Sequence, residues 1–139
     1  MIVLDTSFLF ALLESTDSRH AEAKAWYERE ARTFATTPFV LAELDYLLHA
    51  RSTAAAVEAF RAEIRRGSLG VEWWPGLDVE AADVADRHAE LELGLVDASL
   101  VALAARLETN LIASFDARHF RTVKPLDRSG PFELLPADA

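Results

Sequence analysis

The sequence predicts a single α/β domain in which a parallel sheet is covered by helices on both faces. Three observations predict it. Short apolar runs alternate with longer amphipathic stretches, the order expected of strand–helix–strand units. The first run, Ile2-Val3-Leu4, is continuously apolar, as in a strand buried on both faces. Two runs end directly on aspartates, Asp5 and Asp116. Ligands of parallel sheets bind at the carboxyl ends of the strands.

The elements follow in order. After the first strand, Phe8 to Glu14 reads as a helix, and Ala21 to Arg32 as a more strongly amphipathic one. Phe34 to Thr37 reads as the second strand. Pro38 suits the first turn of the next helix, which runs to about Ala50. Thr53 to Arg66 is a helix closed by Gly67. Val71 to Trp74 reads as a third strand, stopped by Pro75-Gly76. Val79 to Leu91 and Val96 to Glu108 are helices with Gly94 between them. Leu111 to Phe115 and Phe132 to Leu135 complete the strands. No internal repeat or long linker interrupts residues 1–139, so one domain is expected.

Composition narrows the function. Hydrophobic residues make up 51% and charged residues 27%, a globular balance. The chain has no cysteine, which excludes disulfides, thiolate zinc sites and cysteine nucleophiles. No apolar run approaches the roughly 20 residues of a membrane span. The first residues carry no basic region or cleavage site, so a cytoplasmic protein is expected. Net charge is −9, from 14 basic and 23 acidic residues. That balance disfavours nucleic acid unless basic residues group locally. Two groups exist: Arg61, Arg65 and Arg66 on one helix, and Arg118, Arg121 and Lys124 after the last strand. The second group is the candidate nucleic-acid-binding patch. Solvated helix faces are the simpler account of both.

Four acids can converge. The helix from Asp97 to Glu108 rises about 16 Å, and the strand from Leu111 to Asp116 returns about 16 Å. Asp116 therefore comes back level with Asp97. Leu100, Val101, Ala104 and Leu107 share the side of Asp97, so this acid tops a core-facing stripe. A charge placed to favour a helix N-terminus would look the same. Glu43 lies in the helix after Pro38 among Phe39, Val40, Tyr46 and Leu47, an apolar setting in which a charge needs a partner. A salt bridge to an arginine would satisfy it as well. Asp45 points about 200° away on the helical wheel and ranks below Glu43.

Clustered carboxylates repel one another unless a cation sits among them. An all-oxygen donor set suits Mg²⁺, or Mn²⁺, rather than zinc. Such ions activate water and stabilise charge on a transferring phosphoryl group. The expected metal ligands are Asp5, Asp97 and Asp116, with Glu43 as the fourth catalytic acid. Thr6 or Ser7 could support them, or could instead cap the helix expected from Phe8. The four histidines show no zinc spacing, and His119 reads as structural.

Four blocks carry a family resemblance: Val3-Leu4-Asp5-Thr6-Ser7, Ala42-Glu43-Leu44, Asp97-Ala98-Ser99-Leu100-Val101-Ala102-Leu103-Ala104, and Phe115-Asp116-Ala117-Arg118-His119-Phe120. In this order they resemble the PIN-domain ribonuclease toxins of the VapC type, from VapBC toxin–antitoxin pairs. Each block is weak alone, and four in register are specific. The resemblance implies a PIN-like three-layer α/β/α sandwich with about five parallel strands, and places the family's four metal-site acids on Asp5, Glu43, Asp97 and Asp116. It further implies Mg²⁺-dependent endonucleolytic cleavage of structured RNA such as tRNA or rRNA, a cognate VapB-like antitoxin and a homodimer. Ala117 departs from the basic or polar residue common at its position. Two other readings compete. A receiver-like signalling module would explain Lys124-Pro125 but needs an aspartate after the third strand, where Val71 to Gly76 has none. A non-catalytic PIN scaffold would not need all four acids.

Overall fold

The computed structural model describes residues 1–139. The chain begins with strand β1 (Ile2–Leu4), then helices α1 (Thr6–Leu13) and α2 (His20–Arg29). Strand β2 (Phe34–Ala35) leads into α3 (Pro38–Arg51) and α4 (Ala54–Arg66). Helix α5 (Leu77–Arg87), a 3₁₀ turn (Ala89–Leu91) and α6 (Leu95–Arg106) follow. Strand β3 (Leu111–Ala113), the short α7 (Ala117–Phe120) and β4 (Glu133–Leu135) end the fold.

The four strands form one parallel sheet in the order β2-β1-β3-β4. Val3 pairs with Ala35 on one side and Ile112 on the other. Successive side chains of a strand point to opposite faces, and Ile2, Val3 and Leu4 are all buried. Helices therefore cover both faces, as the uninterrupted apolar run predicts. Against β1 lies α6, which also packs on α3 and α5. Helix α1 packs between α2 and α3.

Local chemistry sets the helix starts. The Thr37 hydroxyl accepts from the Val40 amide, and Pro38 occupies the first turn of α3. Thr53 caps α4 in the same way, and Gly67 closes it with φ of +69°. Helix α1 departs from expectation. It starts at Thr6 rather than Phe8, and its N-cap is Asp5, whose carboxylate accepts from the Thr6 amide. Thr6 and Ser7 thus lie inside the helix and do not cap it.

The strand expected at Val71 to Trp74 does not form. Only one bridge forms, Thr36 to Val71, so the sheet has four strands where about five were expected. Gly70 lets the chain approach β2: a Cβ there would collide with the Phe34 carbonyl oxygen. The Glu72 amide still donates to Thr36 at 2.9 Å. The backbone then turns away. Trp74 is buried, with the Arg106 guanidinium 4.6 Å from its ring centroid, and Pro75 has no amide to continue a ladder.

Candidate active site

Asp5 leaves β1 at the carboxyl edge of the sheet and is nearly fully buried. One carboxylate oxygen, Oδ1, accepts from the Thr6 amide at 2.7 Å. The other, Oδ2, accepts from the Ser7 hydroxyl at 2.7 Å and the Ser114 hydroxyl at 2.6 Å. Each serine also accepts a backbone amide, Phe115 onto Ser7 and Asp116 onto Ser114, both at 3.0 Å. The two hydroxyls thereby tie the end of β3 to the start of α1, and so Asp116 to Asp5. Burial pushes the Asp5 carboxyl up to about 6; the hydroxyl of Ser114 opposes this and the charge of Asp97 adds to it.

Asp97 lies in the first turn of α6. Its Oδ2 is 2.7 Å from Nδ1 of His119, which reaches across from α7. His119, expected from the sequence to be structural, thus contacts one of the four acids directly. Asp116 caps α7, accepting from the Arg118 amide at 3.2 Å. Glu43 projects from α3, and burial raises its carboxyl above the usual range. The Thr6 hydroxyl beside it works against that rise, and the Asp97 charge adds to it. Thr6 Oγ1 is itself buried without a hydrogen bond of normal geometry. Tyr46, expected on the same apolar side as Glu43, is 70% exposed.

All four acids line one cleft of about 590 Å³. Helix α1 supplies Thr6, Ser7, Phe10 and Ala11; α3 supplies Glu43, Leu47 and Arg51; Gly94 to Asp97 and Phe115 to Asp116 complete the acidic end. Arg118 also lines it, half-engaged with Asp116 at 3.5 Å. Arg121 instead holds Asp138 through two contacts of 2.6 and 2.7 Å, and neither it nor Lys124 lines the cleft. Asp45 is bound by Arg61 at 2.9 and 3.0 Å, outside the cleft. That pairing also accounts for one member of the α4 basic group.

The donor set fits a hard divalent cation. It consists of carboxylate and hydroxyl oxygens, and Asp97 raises the carboxyls of both Asp5 and Glu43, a repulsion that a cation would relieve. The ring is not closed: no three carboxylates or imidazoles form a ready ligand set for one ion. Ser114, Arg19 and Arg51 were not singled out from the sequence. Ser114 had one legible signal, a small hydroxyl two residues before Asp116 and so on the same face of an extended chain.

No helix is long and apolar enough to cross a membrane. The sequence matches the PIN domain family over residues 2–125. It is 30% identical over 136 residues to Ribonuclease VapC26 of Mycobacterium tuberculosis, covering 97% of this chain and 100% of that protein. The fold is similar to the crystal structure of Mycobacterium tuberculosis VapC20, a sarcin–ricin loop cleaving toxin, with a TM-score of 0.77. That similarity extends over 90% of this chain and 100% of the other, at 32% sequence identity. With family, relative and structural neighbour in agreement over nearly the whole length, the chain belongs to the PIN-domain family, alongside the VapC ribonucleases.

Proposed function

We propose that this protein is the endoribonuclease toxin of a type II toxin–antitoxin pair, hydrolysing phosphodiester bonds of a structured RNA. The observation that carries the reading is the cleft itself. Four acids from four separate elements line it, and two of them have carboxyls raised by burial and by a third. A structural ion-pair network would give each acid a basic partner, as Arg61 does for Asp45; Asp97 meets His119 and Asp116 meets Arg118 at 3.5 Å, but Asp5 and Glu43 have none.

Asp5, Asp97 and Asp116 would hold Mg²⁺, with Mn²⁺ as an alternative, and Glu43 would complete the set. When bound, the ion supplies an activated water and offsets charge on the phosphoryl group. The chain's own residues do the positioning. Thr6, Ser7 and Ser114 fix both oxygens of Asp5. The His119 Nδ1–H donates to Asp97 and restricts its rotation. Arg118, exposed at the mouth, is placed to meet phosphate oxygens.

An acidic cleft also suits an inhibitor that carries arginine or lysine, so a VapB-like antitoxin is proposed to block it by pairing with the carboxylates. The complex should form without Mg²⁺. A homodimer is proposed as well. Trp26 and Trp74 are core residues, but Tyr46 and Trp73 remain 70% and 59% exposed. Light scattering at micromolar concentration should return a dimer mass, and a monomer throughout that range would refute it.

The test of function is to map RNA 5′ ends in cells expressing the chain or its Asp116→Asn variant. New ends at one site in rRNA or tRNA are expected with the wild type alone; the sarcin–ricin loop, the target named for VapC20, is the first place to look. Identical ends in both cultures would overturn the reading.

A further inference from the structure

The same cleft has a second, basic end. Helix α3 presents Glu43, Leu47 and Arg51 at intervals of four residues, and all three line the cleft. Arg51 stands about 12 Å along the helix from Glu43. Arg19, from the turn before α2, lines the cleft too, with its guanidinium 5.0 Å from the centroid of the Phe115 ring. Leu47 lies between Glu43 and Arg51 on α3, and Phe10 lines the same cleft from α1.

Arg29, Arg51, Arg65, Arg87 and Arg106 pair with no carboxylate, and of these Arg51 alone lines the cleft. Arg32, Arg61, Arg66, Arg121 and Arg128 are each paired with a carboxylate. Arg51 is exposed and has no ion-pair or hydrogen-bond partner, although it borders a cleft rich in acids. Arg19 meets Glu22 through Nη1 alone, at 3.2 Å. The nearby Asp17 has its carboxylate turned to the Arg19 backbone amide at 2.8 Å. Arg51 therefore has guanidinium donors to offer an anion.

We propose that the RNA strand runs from the acid cluster along the groove between α1 and α3, and that Arg51 grips a phosphate away from the scissile one. This rests on the ribonuclease reading. The acids alone would repel the strand; a phosphate contact at the far end holds it in register while the apolar stretch meets sugar and base. A charge at the end of α3 that merely favours the helix C-terminus has no reason to affect RNA.

The test is binding of a fluorescein-labelled, mixed-sequence single-stranded RNA, read by anisotropy across a KCl series. Ca²⁺ replaces Mg²⁺, and gels confirm that the probe stays intact. Arg51→Ala should bind several-fold more weakly at low salt. The slope of log affinity against log salt should fall in magnitude by about 0.7, the loss of one phosphate contact. Arg51→Lys should restore most of that slope. Arg65→Ala, which removes the same charge from α4 outside the cleft, should behave as wild type. An unchanged slope in Arg51→Ala, or an equal loss in Arg65→Ala, overturns the proposal. If either result accompanies intact Mg²⁺-dependent RNA cleavage by the wild type, the ribonuclease reading stands and only the path of the strand is wrong. A wild type that neither binds nor cuts RNA overturns both.

Discussion

Nδ1 of His119 stands 2.7 Å from Oδ2 of Asp97, joining the short helix after β3 to the first turn of α6. Carboxylates that bind metal are commonly oriented by such neighbours, and loss of one typically costs about 10- to 100-fold in metal affinity or activity. We predict a loss in that range for His119→Ala in RNA cleavage, with the Mg²⁺ concentration for half-maximal rate shifted upward. The second readout separates positioning from simple damage. An unaltered Mg²⁺ dependence would show that His119 only packs.

That contact explains what the sequence could and could not reveal. Ile2-Val3-Leu4 was legible because a strand buried on both faces must be apolar throughout. Asp97 and Asp116 were legible because helix rise and strand return follow from residue counts and can be matched against each other; Asp5 showed as the residue ending the first strand, and Glu43 as a charge among apolar helical neighbours. His119 was not, since its role arises only when α7 folds back across the mouth of α6. Ser114 and Arg51 belong to the same class: their spacing was visible, but not the cleft they share. Val71 to Trp74 misled for another reason. Its composition suits a strand, yet burial of Trp74 and the missing amide of Pro75 divert it after one bridge.

Ser114 is the joint between two of the acids, since its hydroxyl donates to Asp5 and accepts from the Asp116 amide. We predict that Ser114→Ala destabilises the fold by about 1.5–3 kcal/mol, the range for a hydrogen bond to a charged group. Cleavage should fall with it. Urea denaturation checks the first point, and stability within error of wild type would show that the network relaxes without cost.

The raised Asp5 carboxyl has a definite pH signature in metal-free protein. At about pH 3 both folded and unfolded chains carry the Asp5 proton, so the group contributes nothing. Between 3.8 and about 6 the folded chain keeps a proton that the unfolded chain releases. Stability must therefore fall as pH rises through that window and level off above it. The full effect is on the order of 3 kcal/mol, and Glu43, also raised, adds in the same direction. We predict that the stability of Asp5→Asn relative to wild type, both in chelator, increases from pH 4 to pH 7. A constant difference across that range would contradict the buried, charge-repelled state of Asp5. Added Mg²⁺ at neutral pH should raise the wild-type melting temperature more than that of the variant.

We propose that the four cleft acids jointly support metal-dependent RNA hydrolysis. The most direct measurement is cleavage, by purified protein, of the RNA that end mapping identifies, with Mg²⁺ and with chelator. Wild type should cut only with Mg²⁺. Asp5→Asn, Asp97→Asn, Asp116→Asn and Glu43→Gln should each lose about 100-fold or more, the scale of removing one group that stabilises transition-state charge. Asp45→Asn, whose carboxylate is held by Arg61 outside the cleft, should cut at near the wild-type rate. Cleavage that persists in chelator, or that survives substitution of Asp5, Asp97 and Asp116 in turn, would contradict the account.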